Sequence, residues 1–318
     1  MQRTLKYRQI IERFTNRFTT VPLIGVDLGS AMVKVAELVE CDGRLVLQRC
    51  KIAALEQDPV QGLKRILSES GIRNHYAVVG VASPEVIARS FHFPPMPNRE
   101  LTNAVRLEAE QAVLNGHTLD EMAIDWHLLS FSAKESIQGL LAVVPKTVIA
   151  SRIKTVKAAG LNPMILDVEG LALWNAYWVL VGSREPASKT VLLVNIGASK
   201  TNLVIARGPD ELILARDLEI GSKALTGSAK EDWAAEVSDS LAYARSKGGM
   251  RSLDLVCVTG GGSQDPEILA LLKSVVTAPI HLWNPLDQLE WDSKELKLEK
   301  TAGPLLTLAL GLALRRLS

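Results

Sequence analysis

The spacing of hydrophobic and polar positions predicts the same three-stranded unit twice along the chain. The first copy covers residues 23–51 and turns at Asp42-Gly43, and the second covers residues 191–218 and turns at Pro209-Asp210. The six strands are predicted at 23–27, 33–39, 45–51, 191–196, 201–207 and 211–218. A duplication of this kind indicates two similar lobes, each opening with a strand, a glycine turn and a second strand.

Strands and helices alternate through the rest of the chain. Residues 182–189 are polar and include a proline, which favours a domain boundary there. The predicted division is an extension at 1–20, a first lobe at 21–183 and a second lobe at 184–318. The last apolar run, 305–314, is too short to cross a bilayer, and we interpret it as a buried helix.

Composition and charge narrow the class of protein. Of 318 residues, 47% are apolar and 22% are charged, which is typical of a globular protein with a sizeable core. The formal net charge of +1 gives no reason to expect a nucleic-acid partner. Three cysteines without metal-type spacing suit free thiols in a reducing cytosol. Charges interrupt the first apolar cluster, so we expect no secretory signal peptide.

The first twenty residues form a basic and amphipathic pattern. Basic and large apolar side chains recur there at helical spacing: Arg3, Lys6, Tyr7, Arg8, Ile10, Ile11, Arg13, Phe14, Arg17 and Phe18. One interpretation is a helix that contacts an anionic membrane surface through residues 3–18. The other is a helical extension that packs on its own domain.

Each copy of the repeat carries a glycine turn that could hold phosphate. The first reads VDLGSAMVK from Val26 to Lys34, and the second reads VNIGASKT from Val194 to Thr201. Glycine beside a small residue lets backbone N–H groups approach an anion, and an acid before the turn can hold Mg²⁺. A third glycine element, VTGGGS from Val258 to Ser263, follows a buried strand. Facing lobes would bring these elements to one cleft.

In this order the three elements resemble the phosphate 1, phosphate 2 and adenosine motifs of the actin-like ATPase superfamily. The closest resemblance is to the PilM family, the cytoplasmic actin-like proteins of type IV pilus assembly. Four further segments are similar to that family: LTNAVRLEAEQAV, DVEGLALWNAY, RDLEIGSKALT and GPLLTLALGLALR. The resemblance implies an α/β, duplicated ribonuclease H-like fold. It also implies an α+β subdomain inserted in the first lobe at about 72–160 and a truncated outer subdomain in the second.

The resemblance also implies a site for ATP with Mg²⁺. Asp27 would face the metal ion, Glu169 would position the attacking water, and Asn195 stands at the second metal-facing position. The remaining candidates would contact phosphate or nucleoside: Gly29, Ser30, Lys34, Gly197, Ala198, Ser199, Thr201, Gly260, Gly261 and Gly262. Simpler structural roles stay open, since Asn195 can cap its own turn and Glu169 can cap its helix.

Two departures from the family pattern argue against an efficient enzyme. Asn195 stands where the family usually has Asp, and a neutral amide attracts Mg²⁺ less strongly than a carboxylate. The stretch between Ile220 and Leu253 is also short for that family, which places half of the implied nucleoside pocket in doubt. We therefore expect ATP binding to be weak or lost.

The PilM resemblance implies a scaffold that binds the N-terminal cytoplasmic tail of a PilN-like inner-membrane protein. It implies contact with pilus motor or platform proteins, and a cytoplasmic location at the inner membrane through these partners. Phe91, Phe93 and the prolines at 94, 95 and 97 could line a peptide groove or form a rigid connector. The alternatives are an active ATPase and a membrane-surface cytoskeletal protein similar to FtsA.

Overall fold

The computed structural model describes residues 23–113, 117–130, 136–182, 188–246 and 248–315. The predicted amphipathic extension at 1–20 lies outside these residues, so its interpretation stays a prediction.

The first half of the chain contains eight strands and four helices within the described residues. In chain order they are β1 (Ile24–Leu28), β2 (Met32–Cys41), β3 (Arg44–Ala54), α1 (Pro59–Ser70), β4 (Tyr76–Val81), β5 (Ile87–Phe93), α2 (Asn98–Ala112), β6 (Met122–Ser130), β7 (Ile137–Pro145), α3 (Lys146–Ala158), β8 (Asn162–Val168) and α4 (Glu169–Leu180).

The second half starts again with three strands. Its elements are β9 (Thr190–Ile196), β10 (Thr201–Arg207), β11 (Glu211–Leu218), α5 (Ala229–Ser246), β12 (Leu255–Thr259), α6 (Pro266–Val275), β13 (Ile280–Leu282), α7 (Ser293–Leu296) and α8 (Gly303–Leu314). The two predicted three-stranded units are therefore confirmed.

Both halves use one sheet topology. The first sheet has the order β3-β2-β1-β4-β8, with antiparallel β1 to β3 and parallel β1, β4 and β8. The second sheet begins β13-β12-β9-β10-β11. In the reverse direction, β11-β10-β9-β12-β13 has the same order and the same strand directions as the first sheet. We call the first sheet with α1 and α3 the first lobe, and β9 to β13 with α5 and α6 the second lobe.

Strands β5, β7 and β6 extend the second sheet, although they come from the first half of the chain. Antiparallel pairing of Ala88 with Ala215 joins β5 to β11. Phe91 is only 2% exposed and stacks on Phe93 with ring centroids 4.8 Å apart, in a small core under α2. Strand β4 and helix α3, which the predicted insertion at 72–160 includes, lie with the first lobe. The exact domain boundaries stay a prediction.

Helices α4 and α8 pack against each other between the two sheets. Both are apolar on nearly all sides and buried, which confirms the helix predicted at the C-terminal apolar run. A Cβ on Gly25 of β1 would meet the backbone carbonyl of Ala309 in α8. A Cβ on Gly311 would likewise meet the carbonyl of Ala172 in α4. Glycine therefore lets strand and helix backbones approach closely at the centre of the molecule.

Between β11 and β12 the described chain forms one helix, α5. None of the described helices is both long and apolar enough to cross a membrane.

Candidate functional site

The two glycine turns have the same hydrogen-bonded geometry. The N–H of Gly29 donates to the carbonyl of Met32 over 3.0 Å, and the N–H of Gly197 donates to the carbonyl of Lys200 over 2.9 Å. A Cβ on Gly197 would lie 2.9 Å from that same Lys200 oxygen, which is too close for any other residue. The sequence repeat is thus a repeat of one tight turn that closes each hairpin.

Both turns face one cleft of about 360 Å³ between the lobes. The third glycine element and the start of α8 complete its wall. The cleft brings together ten of the residues predicted from sequence: Asp27, Gly29, Ser30, Lys34, Glu169, Asn195, Gly197, Ala198, Gly260 and Gly261. Their roles toward a ligand stay predictions, but their convergence follows from the duplicated topology.

Three predicted residues do not line the cleft. Ser199 is exposed, whereas Gly262 is buried beside Ile196. Thr201 is also buried; its hydroxyl donates to the carbonyl of Ile220 over 2.8 Å and accepts from Trp233 Nε1 over 3.1 Å. The Thr201 hydroxyl therefore holds α5 to the second turn and is not directed at the cleft.

The first cleft carboxylate is already ion-paired. Asp27 is 2% exposed and lies directly opposite Lys34 across the β1–β2 hairpin. Lys34 Nζ donates to Asp27 Oδ2 over 2.8 Å. This register explains why an acid before the turn and a lysine after it occur together, since each neutralises the other in a buried position.

Sequence analysis did not identify Lys200, the second lysine of the cleft. Its Nζ lies 2.8 Å from the carboxylate of Glu169, which is fully buried at the start of α4. Burial by itself would raise the pKa of Glu169, but the charges of Lys200, Arg152 and Lys34 outweigh it and lower the pKa. Glu169 is therefore held as a carboxylate by a cation from the opposite lobe. The sequence signal that could have identified Lys200 is a basic residue inside the second glycine turn.

A row of buried polar side chains lies beneath the second turn. Asn195, Asn202 and Asp217 occupy neighbouring positions on β9, β10 and β11. Asn195 Nδ2 donates to Asn202 Oδ1 over 2.7 Å, and Asn202 Nδ2 donates to Asp217 Oδ1 over 2.6 Å. Asn202 Nδ2 also lies 3.3 Å from Glu169 Oε2. Asn195 is therefore part of a buried hydrogen-bond network, in which its neutral amide donates to Asn202.

Asp217 has the most unusual environment of this row. Burial and the nearby Glu169 carboxylate raise its pKa to about 7, although Lys200, Asn202 and the backbone of Ser83 favour the charged form. Sequence analysis missed Asn202 and Asp217 because their pairing depends on strand register.

The side chains of the cleft do not fit a divalent metal ion. Mg²⁺ prefers free carboxylate and water oxygens, whereas Asp27 and Glu169 are each paired with a lysine. The Asn195 amide is hydrogen-bonded to Asn202. Across the described ranges, no group of three or more His, Cys, Asp or Glu side chains is arranged to hold a metal ion.

The sequence model of the family described as "Type IV pilus assembly protein PilM" matches residues 25–240. The chain belongs to the PilM family. The resemblance inferred from the three glycine elements is thereby confirmed.

Three solved structures are similar to this chain to different degrees. One described as "PilM-PilN type IV pilus biogenesis complex" matches with a TM-score of 0.79 at 24% identity, over 94% of this chain and 100% of that chain. A Bacteroides thetaiotaomicron protein with actin-like ATPase fold and unknown function matches with a TM-score of 0.49 at 10% identity, over 85% and 92% of the two chains. The archaeal actin homologue Ta0583 in complex with ADP gives a TM-score of 0.42 at 14% identity, over 92% and 98%. The TM-score of 0.79 shows that this chain has the fold of the chain solved in the PilM-PilN complex.

Proposed function

We propose that this chain is a scaffold of type IV pilus assembly, or of a related type II secretion-like system, that does not turn over ATP. In this role it binds the N-terminal cytoplasmic tail of a PilN-like inner-membrane protein. It acts in the cytoplasm at the inner membrane, where it also contacts pilus motor or platform proteins. Membership of the PilM family supports the assignment to pilus assembly, and the PilM–PilN complex with the same fold supports the choice of partner.

The observation that carries the scaffold role is the pairing of both cleft carboxylates with lysines. Asp27 and Glu169 are the two acids that a metal-dependent hydrolase would use, and both are buried in 2.8 Å ion pairs. Freeing either carboxylate would leave a buried charge without its partner, which costs about 3 to 5 kcal/mol. The lobes are joined by protein groups, so a nucleotide is not needed to hold them together.

The direct test is binding of synthetic tails. Fluorescently labelled peptides with the cytoplasmic N-terminal sequences of single-pass proteins encoded next to this chain are titrated with the full chain. Fluorescence anisotropy is expected to show saturable binding of one tail and none of its scrambled version. Millimolar ATP with Mg²⁺ is expected to leave the affinity unchanged. Failure of every neighbouring tail to bind would contradict the proposal.

A matched variant separates tail binding from the cleft. The double substitution Asp27→Asn with Lys34→Met removes both charges of one ion pair while keeping similar side-chain sizes. We expect this variant to bind the tail as the native chain does. Loss of binding in the folded variant would indicate that the cleft itself controls the partner site.

ATP hydrolysis is the second candidate function, and the convergence of the two glycine turns with Gly260 and Gly261 favours it. Calorimetry with ATP and Mg²⁺ distinguishes the two. The scaffold proposal expects millimolar affinity or none. Tight binding with phosphate release that is lost in Asp27→Ala would support the enzyme.

Membrane contact through residues 3–18 is a separate proposal, based only on their basic amphipathic pattern. Sedimentation with anionic liposomes compares the full chain with one that lacks residues 1–20. Equal, negligible pelleting of both chains would remove the proposal.

A further inference from the structure

The Lys200–Glu169 ion pair connects the two lobes across the cleft. Lys200 lies in the β9–β10 turn of the second lobe, whereas Glu169 directly follows β8 of the first lobe. The ammonium group lies 2.8 Å from the carboxylate, and the two side chains are 24% and 1% exposed. Both side chains line the cleft with the two glycine turns, and Glu169 also lies 3.3 Å from the buried amide of Asn202.

Acids on three different elements favour the charged form of Lys200. Burial by itself lowers the pKa of Lys200, but Glu169 of α4, Asp217 of β11 and Asp27 of β1 raise it above its usual value. The ammonium group of Lys200 thus pairs directly with the Glu169 carboxylate and is also favoured by the nearby acids Asp217 and Asp27. In proteins, carboxylates gathered from several elements are commonly neutralised by a divalent cation.

We propose that the ammonium group of Lys200 is a resident cation that takes the place of a divalent metal ion between the lobes. The inference deepens the proposed scaffold function, and it rests on that proposal for the absence of metal-dependent turnover. A divalent ion near Glu169 would be repelled by the ammonium group of Lys200, which lies 2.8 Å from that carboxylate. The native cleft is therefore closed to Mg²⁺ and Mn²⁺.

Removing the ammonium group is expected to open the cleft to metal. In Lys200→Ala, Glu169 and Asp217 lose their shared cation and keep the oxygen donors that Mn²⁺ accepts. Binding of free Mn²⁺, with no nucleotide or peptide present, is measured by electron paramagnetic resonance on the full chain. The expected result is no detectable binding by the native chain, and for Lys200→Ala an affinity at least about tenfold above the detection limit.

Two controls connect the gain of metal binding to this ion pair. Lys223→Ala removes an exposed lysine of the same lobe and is expected to behave like the native chain. Adding Glu169→Gln to Lys200→Ala removes the freed carboxylate and is expected to abolish the gain. If Lys200→Ala does not fold, Lys200→Gln is measured in its place, because its amide can still donate toward Glu169.

Mn²⁺ binding by the native chain would overturn the inference. So would a folded Lys200 variant that binds Mn²⁺ no better than the native chain, because the lysine would then not stand in the place of a metal. Neither measurement contains a tail peptide. Failure of the scaffold proposal would appear in the anisotropy titration, and failure of this inference would appear in the Mn²⁺ titration.

Discussion

Replacement of Asp217 by asparagine tests whether a buried acid between the lobes makes stability depend on pH. The carboxyl group is buried on β11, accepts a 2.6 Å hydrogen bond from Asn202 and lies near the Glu169 carboxylate. Burial and the nearby Glu169 carboxylate outweigh the hydrogen bond from Asn202 and raise the pKa of Asp217 from 3.8 to about 7. The difference of about three pKa units corresponds to about 4 kcal/mol between the charged and neutral forms.

The sign follows from proton binding in the two states. Between about pH 4 and pH 7 the folded chain keeps the Asp217 proton, whereas the unfolded chain has released it. The unfolded state binds fewer protons in that range, so stability falls as pH rises and levels off above about pH 7. From pH 5 to pH 8, the free energy of unfolding of the native chain is expected to fall by about 2 to 3 kcal/mol relative to that of Asp217→Asn.

The assay is urea unfolding followed by tryptophan fluorescence at pH 5, 6, 7 and 8. Taking the difference between the native chain and Asp217→Asn cancels the titration of all other groups that the substitution leaves unchanged. Asp239→Asn serves as the matched control, because Asp239 is exposed on α5. The reasoning is refuted if the difference for Asp217→Asn stays constant over this pH range, or if Asp239→Asn shows the same slope.

Three further substitutions test the packing that positions the cleft. Gly25→Ala is expected to lower the free energy of unfolding by about 3 kcal/mol or more, because its Cβ would meet the backbone of α8. The control Gly43→Ala, at a φ of 75° on an exposed turn, is expected to lower it by only about 1 kcal/mol. Equal urea midpoints for the two variants would contradict this prediction. Lys34→Ala is expected to cost about 3 kcal/mol by leaving Asp27 buried without its partner, and a smaller loss in the double variant with Asp27→Asn would confirm the coupling. Trp233→Phe is expected to cost about 1 to 2 kcal/mol through loss of the 3.1 Å indole hydrogen bond, and a thermal midpoint equal to that of the native chain would argue against this role.

The amino-acid sequence was sufficient to predict the repeat, and the resemblance of its glycine elements to the PilM family implied the fold. Strand alternation and tight turns depend on nearby residues, so β1 to β3 and β9 to β11 could be placed from local pattern alone. The apolar run that became α8 was recognised as buried for a similar reason, because a helix that is apolar on all sides must pack inside the protein.

The chemistry of the cleft depended on contacts that local pattern does not encode. Asp27 and Lys34 belong to one hairpin, so the β1–β2 register brings them together. Lys200 and Glu169 are 31 positions apart and meet only because the two lobes face each other. Asn202 and Asp217 likewise became visible as partners only from the register of β10 and β11.

The sequence by itself therefore determined the duplicated architecture, the glycine turns and the family. Only the tertiary structure decided that each acid of the cleft is neutralised by a lysine and that Asn195 joins a buried hydrogen-bond row. The physical reason is that backbone conformation is set by neighbours in sequence, whereas the energy of a buried charge depends on whichever group lies within a few ångströms in space.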